Sequence, residues 1–248
     1  MKTPILTAIA FAVLSLTPAV AATPDYVTAA LADASRPAAD KARDADRKSA
    51  EIVTLTGLRP GGKAADVFPG GGYYTRIFAK VVGPKGHVYA FVPTEAAAKP
   101  YKPDAAARTL AAEPGYGNVS VLVQDTKAMD AGGLDLIFIS QFYHDMHNAA
   151  YGGPDIVPQN KGLFSALKPG GALLIIDHSA PGTGITATNT THRIDIEAVK
   201  TELAAAGFKL EAQSDVLKNP DDPHTANVFS PTIRGKTDQF MLKFRKPK

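Results

Sequence analysis

Four histidines, His144, His147, His178 and His192, fall in two stretches of a 248-residue chain, with Tyr143 and Asp145 beside the first. Imidazole titrates near neutral pH, so such a group can take a proton from an oxygen or nitrogen about to react. Three uses are open. The histidines can be hydrogen-bonded walls of a cleft, general acids or bases, or metal ligands drawn from His144, Asp145, His147 and His178. His-x-x-His can share one helical face, but no carboxylate–histidine spacing here matches a known metal signature, so no metal ligands are assigned. The chain has no cysteine, which removes thiolate chemistry and disulfides. A Gly-x-Ser-x-Gly nucleophile elbow is absent, as is a phosphate loop ending in Gly-Lys-Ser/Thr.

A second stretch offers backbone rather than side chains. Lys63–Ala79 reads as a short buried strand, a glycine turn and the start of an amphipathic helix. Ala64, Ala65, Val67 and Phe68 form an apolar run too short for a helix, while Ile77, Phe78, Val81 and Val82 recur at helical spacing. Between them, Gly70, Gly71 and Gly72 leave the N–H groups of a helix start open to close approach by a ligand.

Asp66-x-x-x-Gly70-Gly71-Gly72 resembles the first motif of class I, Rossmann-like S-adenosylmethionine (SAM) methyltransferases. About 100 residues on, Leu167–Asp177 (Leu-Lys-Pro-Gly-Gly-x-Leu-Leu-Ile-Ile-Asp) resembles a second motif of that family, in the expected order. The resemblance covers Gly57–Lys248 and is closest to exported bacterial proteins described as predicted methyltransferases. It implies an α/β three-layer sandwich whose seven-stranded sheet is mostly parallel, with an antiparallel C-terminal hairpin. It also implies SAM as cofactor, held by Asp66, Gly70, Gly71 and Gly72, with Asp125 on the adenine side and Gln141 nearby. The family's second strand usually ends in an acid that binds the ribose. Here Val92 and Pro93 stand there, and the nearest carboxylate is Glu95. In such a fold Tyr143, His144 and Asp145 are expected to line a small-molecule acceptor pocket, with His178 and His192 facing them and His144 as proton acceptor.

The elements that must position these groups follow the chain. Predicted strands are Gly86–Val92, Asn118–Gln124, Leu134–Ser140, Ala172–Asp177, Phe208–Val216 and Asp238–Phe244. Ligands of open α/β sheets bind beyond the carboxyl ends of the strands, where the histidines and Asp125 fall. Helices are predicted over Ala96–Ala112, Ile156–Leu167 and Asp195–Ala206. The connection Leu217–Lys236 is long enough to be a lid or binding loop. An N-terminal helical extension, residues 23–58, breaks at Arg36-Pro37. Its alternating charges over Ala38–Leu58 read as a solvated face, or as a lid over the cleft through Arg36-Pro37-x-x-Asp40-x-x-Arg43-Asp44.

Lys2, the apolar run Ile5–Leu16 and Ala19-Val20-Ala21 have the pattern of a cleaved signal peptide over residues 1–22. The run is too short to span a bilayer, so the mature chain, with its domain at 59–248, is expected in the periplasm or medium without a membrane span. The net charge of +3 is spread thinly and gives no case for nucleic acid. Two other readings of the fold are a non-catalytic exported binding protein and an NAD-type dehydrogenase. The second lacks Gly-x-Gly-x-x-Gly and has the wrong antiparallel end.

Overall fold

A computed structural model describes residues 22–153 and 155–248. The expected signal peptide lies outside the described residues, apart from its last position, Ala22. Seven strands form one sheet: β1 (Lys63–Val67), β2 (His87–Pro93), β3 (Val119–Gln124), β4 (Leu134–Ser140), β5 (Leu167–His178), β6 (Lys209–Ser214) and β7 (Gln239–Arg245). Their order is β3-β2-β1-β4-β5-β7-β6. The first five run parallel, and β7 enters antiparallel between β5 and β6. The order reverses between β1 and β4, so their carboxyl ends open a crevice at the switch point.

Alternate residues of the central strands feed two cores. Ala64, Leu136 and Phe138 face one side with Ile77, Phe78 and Val81 of α4 (Tyr73–Val82). Ala65, Ile137 and Ile139 face the other, against Leu163 of α7 (Ile156–Ala166) and Val199 and Leu203 of α8 (Ile196–Ala205). Both faces are covered, which is why β1 and β4 read as near-continuous apolar runs. This is the expected three-layer sandwich.

Three boundaries depart from the sequence reading. The N-terminal extension forms α1 (Asp25–Ala32), a single turn α2 (Ala38–Lys41) and α3 (Ser49–Thr56), not one long second helix. The break lies at Lys48, whose φ is +50°. Side-chain bonds set it: Arg36, 2% exposed, grips the Asp44 carboxylate with both Nη atoms at 2.8 and 2.7 Å. Asp44 also accepts from the Tyr73 hydroxyl, which contacts the Ser49 hydroxyl at 2.6 Å. The solvated-face reading fits Arg43, Asp46 and Lys48, which are exposed, but not Asp44, which this network takes inward. The stretch predicted as one helix from Ala96 is two pieces, α5 (Thr94–Ala97) and α6 (Ala105–Ala112), with Pro100 and Pro103 between them. Strand β5 begins at Leu167, five residues early, running through Pro169-Gly170-Gly171. A Cβ on Gly171 would sit 2.8 Å from the Leu134 carbonyl oxygen, so only glycine lets β5 lie this close to β4. Among the described residues, no helix is long and apolar enough to cross a membrane.

Candidate functional site

The crevice holds two cavities that share Arg43, Arg47, Tyr74, Ser140 and Gln141. The first, about 260 Å³, is floored by the glycine turn, from Asp66 through Phe68, Pro69, Gly70 and Gly71, and roofed by Asp40, Arg43 and Arg47 of the N-terminal extension. The second, about 420 Å³, is walled by His178, Thr237, Gln239, Leu217, Val228, Phe229 and Arg234. Cavities of this size suit a cofactor and a small acceptor side by side.

At the first cavity the chemistry is one buried acid and open backbone. Asp66 pairs with β2 at Ala90 and with β4 at Phe138, which fixes it at the centre of the sheet. Burial pushes its carboxyl up to about 7, against the Thr75 hydroxyl that donates to it at 2.6 Å and the charge of Arg47. A Cβ on Gly71 would meet nothing within 4 Å, so this position borders free space. A Cβ on Gly72, at φ +81°, would run into Leu110 at 2.3 Å. Gly71 is therefore a cradle position and Gly72 a packing position. The turn also carries strain: Phe68 has φ +55° with its ring stacked on Phe142 at 4.3 Å.

The sequence offered a lid through Asp40 and Arg43 as one of two readings, but it did not single out Arg47. Arg47 lies over the rings of Tyr73 and Tyr74 at 4.5 and 4.9 Å, and Arg43 over Tyr73 at 5.5 Å. The i, i+4 spacing of Arg43 and Arg47 was the available signal. Gln141 joins the two cavities. Its φ is +58°, its N–H donates to the Ile176 carbonyl at 2.7 Å, and its side-chain amide reaches Gln239 at 3.0 Å.

The predicted acceptor residues do not stay together. His178 lines the second cavity, with Nδ1 2.7 Å from the Thr237 hydroxyl. Burial pushes it down to about 4, so it is neutral at physiological pH. Tyr143 lines neither cavity. It is fully buried, donating to Glu202 at 2.9 Å and accepting from Asn160 at 2.8 Å, so it ties β4 to α7 and α8. His147 is likewise buried beside Glu202, Nε2 to Oε2 3.3 Å. Tyr143 caps the 3-10 turn His144–His147, where successive side chains point about 120° apart, so Tyr143 and His144 leave the turn in different directions. His144, 2% exposed, lines neither cavity and sits behind their wall with its ring 5.9 Å from that of His178. It is thus no direct proton acceptor in this geometry. Asp145 lies with it.

His144 is held by Asp177, which is fully buried in β5. Asp177 accepts from Nδ1 at 2.7 Å and from the His144 N–H at 2.8 Å. Burial pushes the imidazole down, but the charges of Asp177 and Asp145 outweigh it and hold the pKa above its ordinary value. Burial raises Asp177 in turn, yet His144 and His178 keep it low. His192 returns to the cluster because Ile194 bridges back to Ser179. Its Nδ1 stands 3.0 Å from Asp145.

Of the other cofactor candidates, Asp125 spends its carboxylate on the Lys127 N–H at 2.9 Å, capping a 3-10 turn. Glu95 sits in α5. Neither borders the two cavities. The end of β2 carries buried Val92 and Pro93, as the sequence indicated.

No protein-family model matches the chain. Over 138 residues it is 28% identical to the ubiquinone/menaquinone biosynthesis C-methyltransferase UbiE of Ectopseudomonas mendocina, covering 54% of this chain and 49% of that one. The chain thus spans about half the length of that curated relative. Among solved structures, a SAM-dependent methyltransferase from Aquifex aeolicus aligns with a TM-score of 0.60 at 21% identity, over 84% of this chain and 95% of its own. The [4+2]-cyclase SpnF aligns with a TM-score of 0.58 at 20% identity, over 82% and 81%. Strand order, the glycine turn after β1 and these likenesses agree: the chain has the fold of the class I SAM-dependent methyltransferases.

Proposed function

We propose that the protein is an exported SAM-dependent methyltransferase acting on a small-molecule oxygen or nitrogen. The observation that carries this is the single crevice in which the glycine-turn cavity opens through Gln141 and Ser140 into a second cavity walled by His178. Asp66, Gly70 and Gly71 would hold the cofactor, under Arg43 and Arg47. SAM bound there supplies an already activated, electrophilic methyl group. The chain's own work is then alignment and exclusion of water. Tyr74 and Gln141 border both cavities and set the line between them, and the long connection before β7 closes the outer wall with Phe229. His178, pushed down to about 4, is a weak base; when its Nδ1–H donates to the Thr237 hydroxyl, Nε2 is free to accept a hydrogen bond. It can orient an O–H or N–H group with its lone pair toward the first cavity. The signal-like pattern ahead of residue 23 supports export.

Calorimetry on the mature chain with SAM, its demethylated product and NAD tests this reading. Binding of the first two and not NAD is expected. A second reading, an exported binding protein without catalysis, is favoured by the apolar end of β2, where no carboxylate meets a ribose. The alignment with a [4+2]-cyclase adds that the fold alone does not fix the reaction. Binding of the demethylated product with no methyl transfer to any acceptor would select that reading.

A further inference from the structure

Behind the His178 wall, three side chains from separate places in the chain converge. His144 and Asp145 come from the turn after β4, and His192 from the loop before α8. One potential ligand atom from each lies within 4.8 Å of the others. His144 Nε2 is 3.5 Å and His192 Nδ1 3.0 Å from the same Asp145 oxygen. A tetrahedral ion with ligands at about 2.1 Å spaces them about 3.4 Å apart, between these two distances.

The protonation pattern makes the convergence informative. Asp177 is fully buried and, as a carboxylate, can only accept. The 2.7 Å contact therefore keeps a proton on Nδ1 and turns Nε2 toward Asp145, where it can give up its own proton to a cation. At 3.5 Å, Nε2 and the Asp145 oxygen are too far apart for a good hydrogen bond and at the spacing of two ligands on one ion. A carboxylate behind a ligating imidazole is the usual device for fixing its tautomer and orientation. His192 is moreover held at φ +55°, an uncommon conformation for a non-glycine residue.

We propose that His144, Asp145 and His192 form a binding site for one divalent first-row transition cation, zinc foremost, with Asp177 as the positioning residue. A two-histidine, one-carboxylate set suits such ions and leaves a coordination position open. The site borders the second cavity through Phe229, packed on the His192 ring at 5.0 Å, and through His178. A cation here ties the turn after β4 to the loop at His192 and so organises that wall from behind.

The test uses the full mature chain, stripped with a chelator and titrated with zinc chloride alone. One zinc per chain, with Kd below about 1 µM, is expected. His192→Ala and Asp145→Asn should each weaken binding by 10-fold or more. Asp177→Asn should weaken it about 10- to 100-fold and shift the visible bands of a cobalt(II) probe, which a loss of packing alone would not do. His87→Ala, on the far end of β2, should change nothing. If Asp177→Asn fails to fold, His192→Ala still decides, because that residue is partly exposed on a loop. No zinc uptake by the parent near 100 µM, or unchanged affinity in both His192→Ala and Asp145→Asn, would overturn the proposal.

Discussion

The two ends of the crevice are built by different means. The glycine-turn end is local: one strand, one turn and one helix, Lys63–Val82, present Asp66 and open backbone to a ligand. The histidine end is assembled from four places, the turn after β4, the end of β5, the loop at His192 and the connection before β7. Its wall joins the ends of β5 and β7, at His178 and Gln239, to loop residues, and it is clamped from behind. Arg193, next to His192, is fully buried against an equally buried Asp222 at 2.8 Å. Arg193 also donates to the Ser179 and Ala226 carbonyls. A local site is fixed by backbone geometry, whereas an assembled one depends on a few buried polar ties.

The largest expected effect is therefore at the clamp. Asp222→Ala strips the partner from a buried guanidinium and also removes an acceptor from the Asp238 N–H at 2.7 Å. The loss should be about 3 to 5 kcal/mol in urea unfolding. Ligand affinity at the glycine turn should survive in whatever fraction remains folded. Equal losses at both ends would refute the division drawn here.

This division also explains what could be read from the chain. Strand order, the glycine turn and Asp66 were legible because apolar runs and local turn chemistry encode them. Tyr143 was placed with His144 because the two are adjacent in sequence, but side chains about 120° apart at a 3-10 turn send it to Glu202 and Asn160 instead. The roof was left open between a solvated face and a lid because a buried Arg36–Asp44 pair looks, in sequence, like any two charges eight positions apart. The contributions of Thr237 and Phe229 depend on where a twenty-residue connection lands, though its length did mark Leu217–Lys236 as a binding loop.

At the local end, Asp66 should give the next effect. Its folded pKa of about 7 lies above the ordinary value of 3.8, so the folded state holds a proton the unfolded state has released. Stability should fall as pH rises from about 4 to about 7 and level off above, by roughly 2 to 4 kcal/mol from this group. Asp66→Asn should remove that slope, so the variant exceeds the parent in thermal midpoint at pH 8 and matches it near pH 4. A cationic ligand favours the ionised carboxylate, so its affinity for the parent should rise through pH 7, and this rise should vanish in the variant.

Two glycines separate scaffold from site. Gly71→Val places its side chain in free space, so unfolding should change by less than about 0.5 kcal/mol, while SAM affinity falls at least 10-fold, about 1.4 kcal/mol. Gly72→Val collides with Leu110 at a left-handed position and should cost about 1 to 3 kcal/mol of stability. Unfolding curves with calorimetry on both variants make the comparison. Undiminished SAM affinity in Gly71→Val would place the cofactor elsewhere.

The smallest expected effect tests whether the roof belongs to the local end. Arg47 covers Tyr73 and Tyr74 and borders both cavities. Arg47→Met keeps most of the side chain's length and removes the charge. The cation–π contribution at a partly covered site is about 0.5 to 1 kcal/mol, so SAM affinity should weaken only two- to five-fold. The loss should appear in the dissociation rate, because a looser roof lets ligand leave sooner while the floor that first receives it is intact. Asp66 should move too: losing a nearby positive charge raises its pKa further, so the pH at which stability levels off should shift upward from about 7. Stopped-flow release of SAM and a pH series of thermal midpoints are the two readouts. A slower association with unchanged release would make Arg47 a steering charge, and the N-terminal extension would then not act as a roof at all.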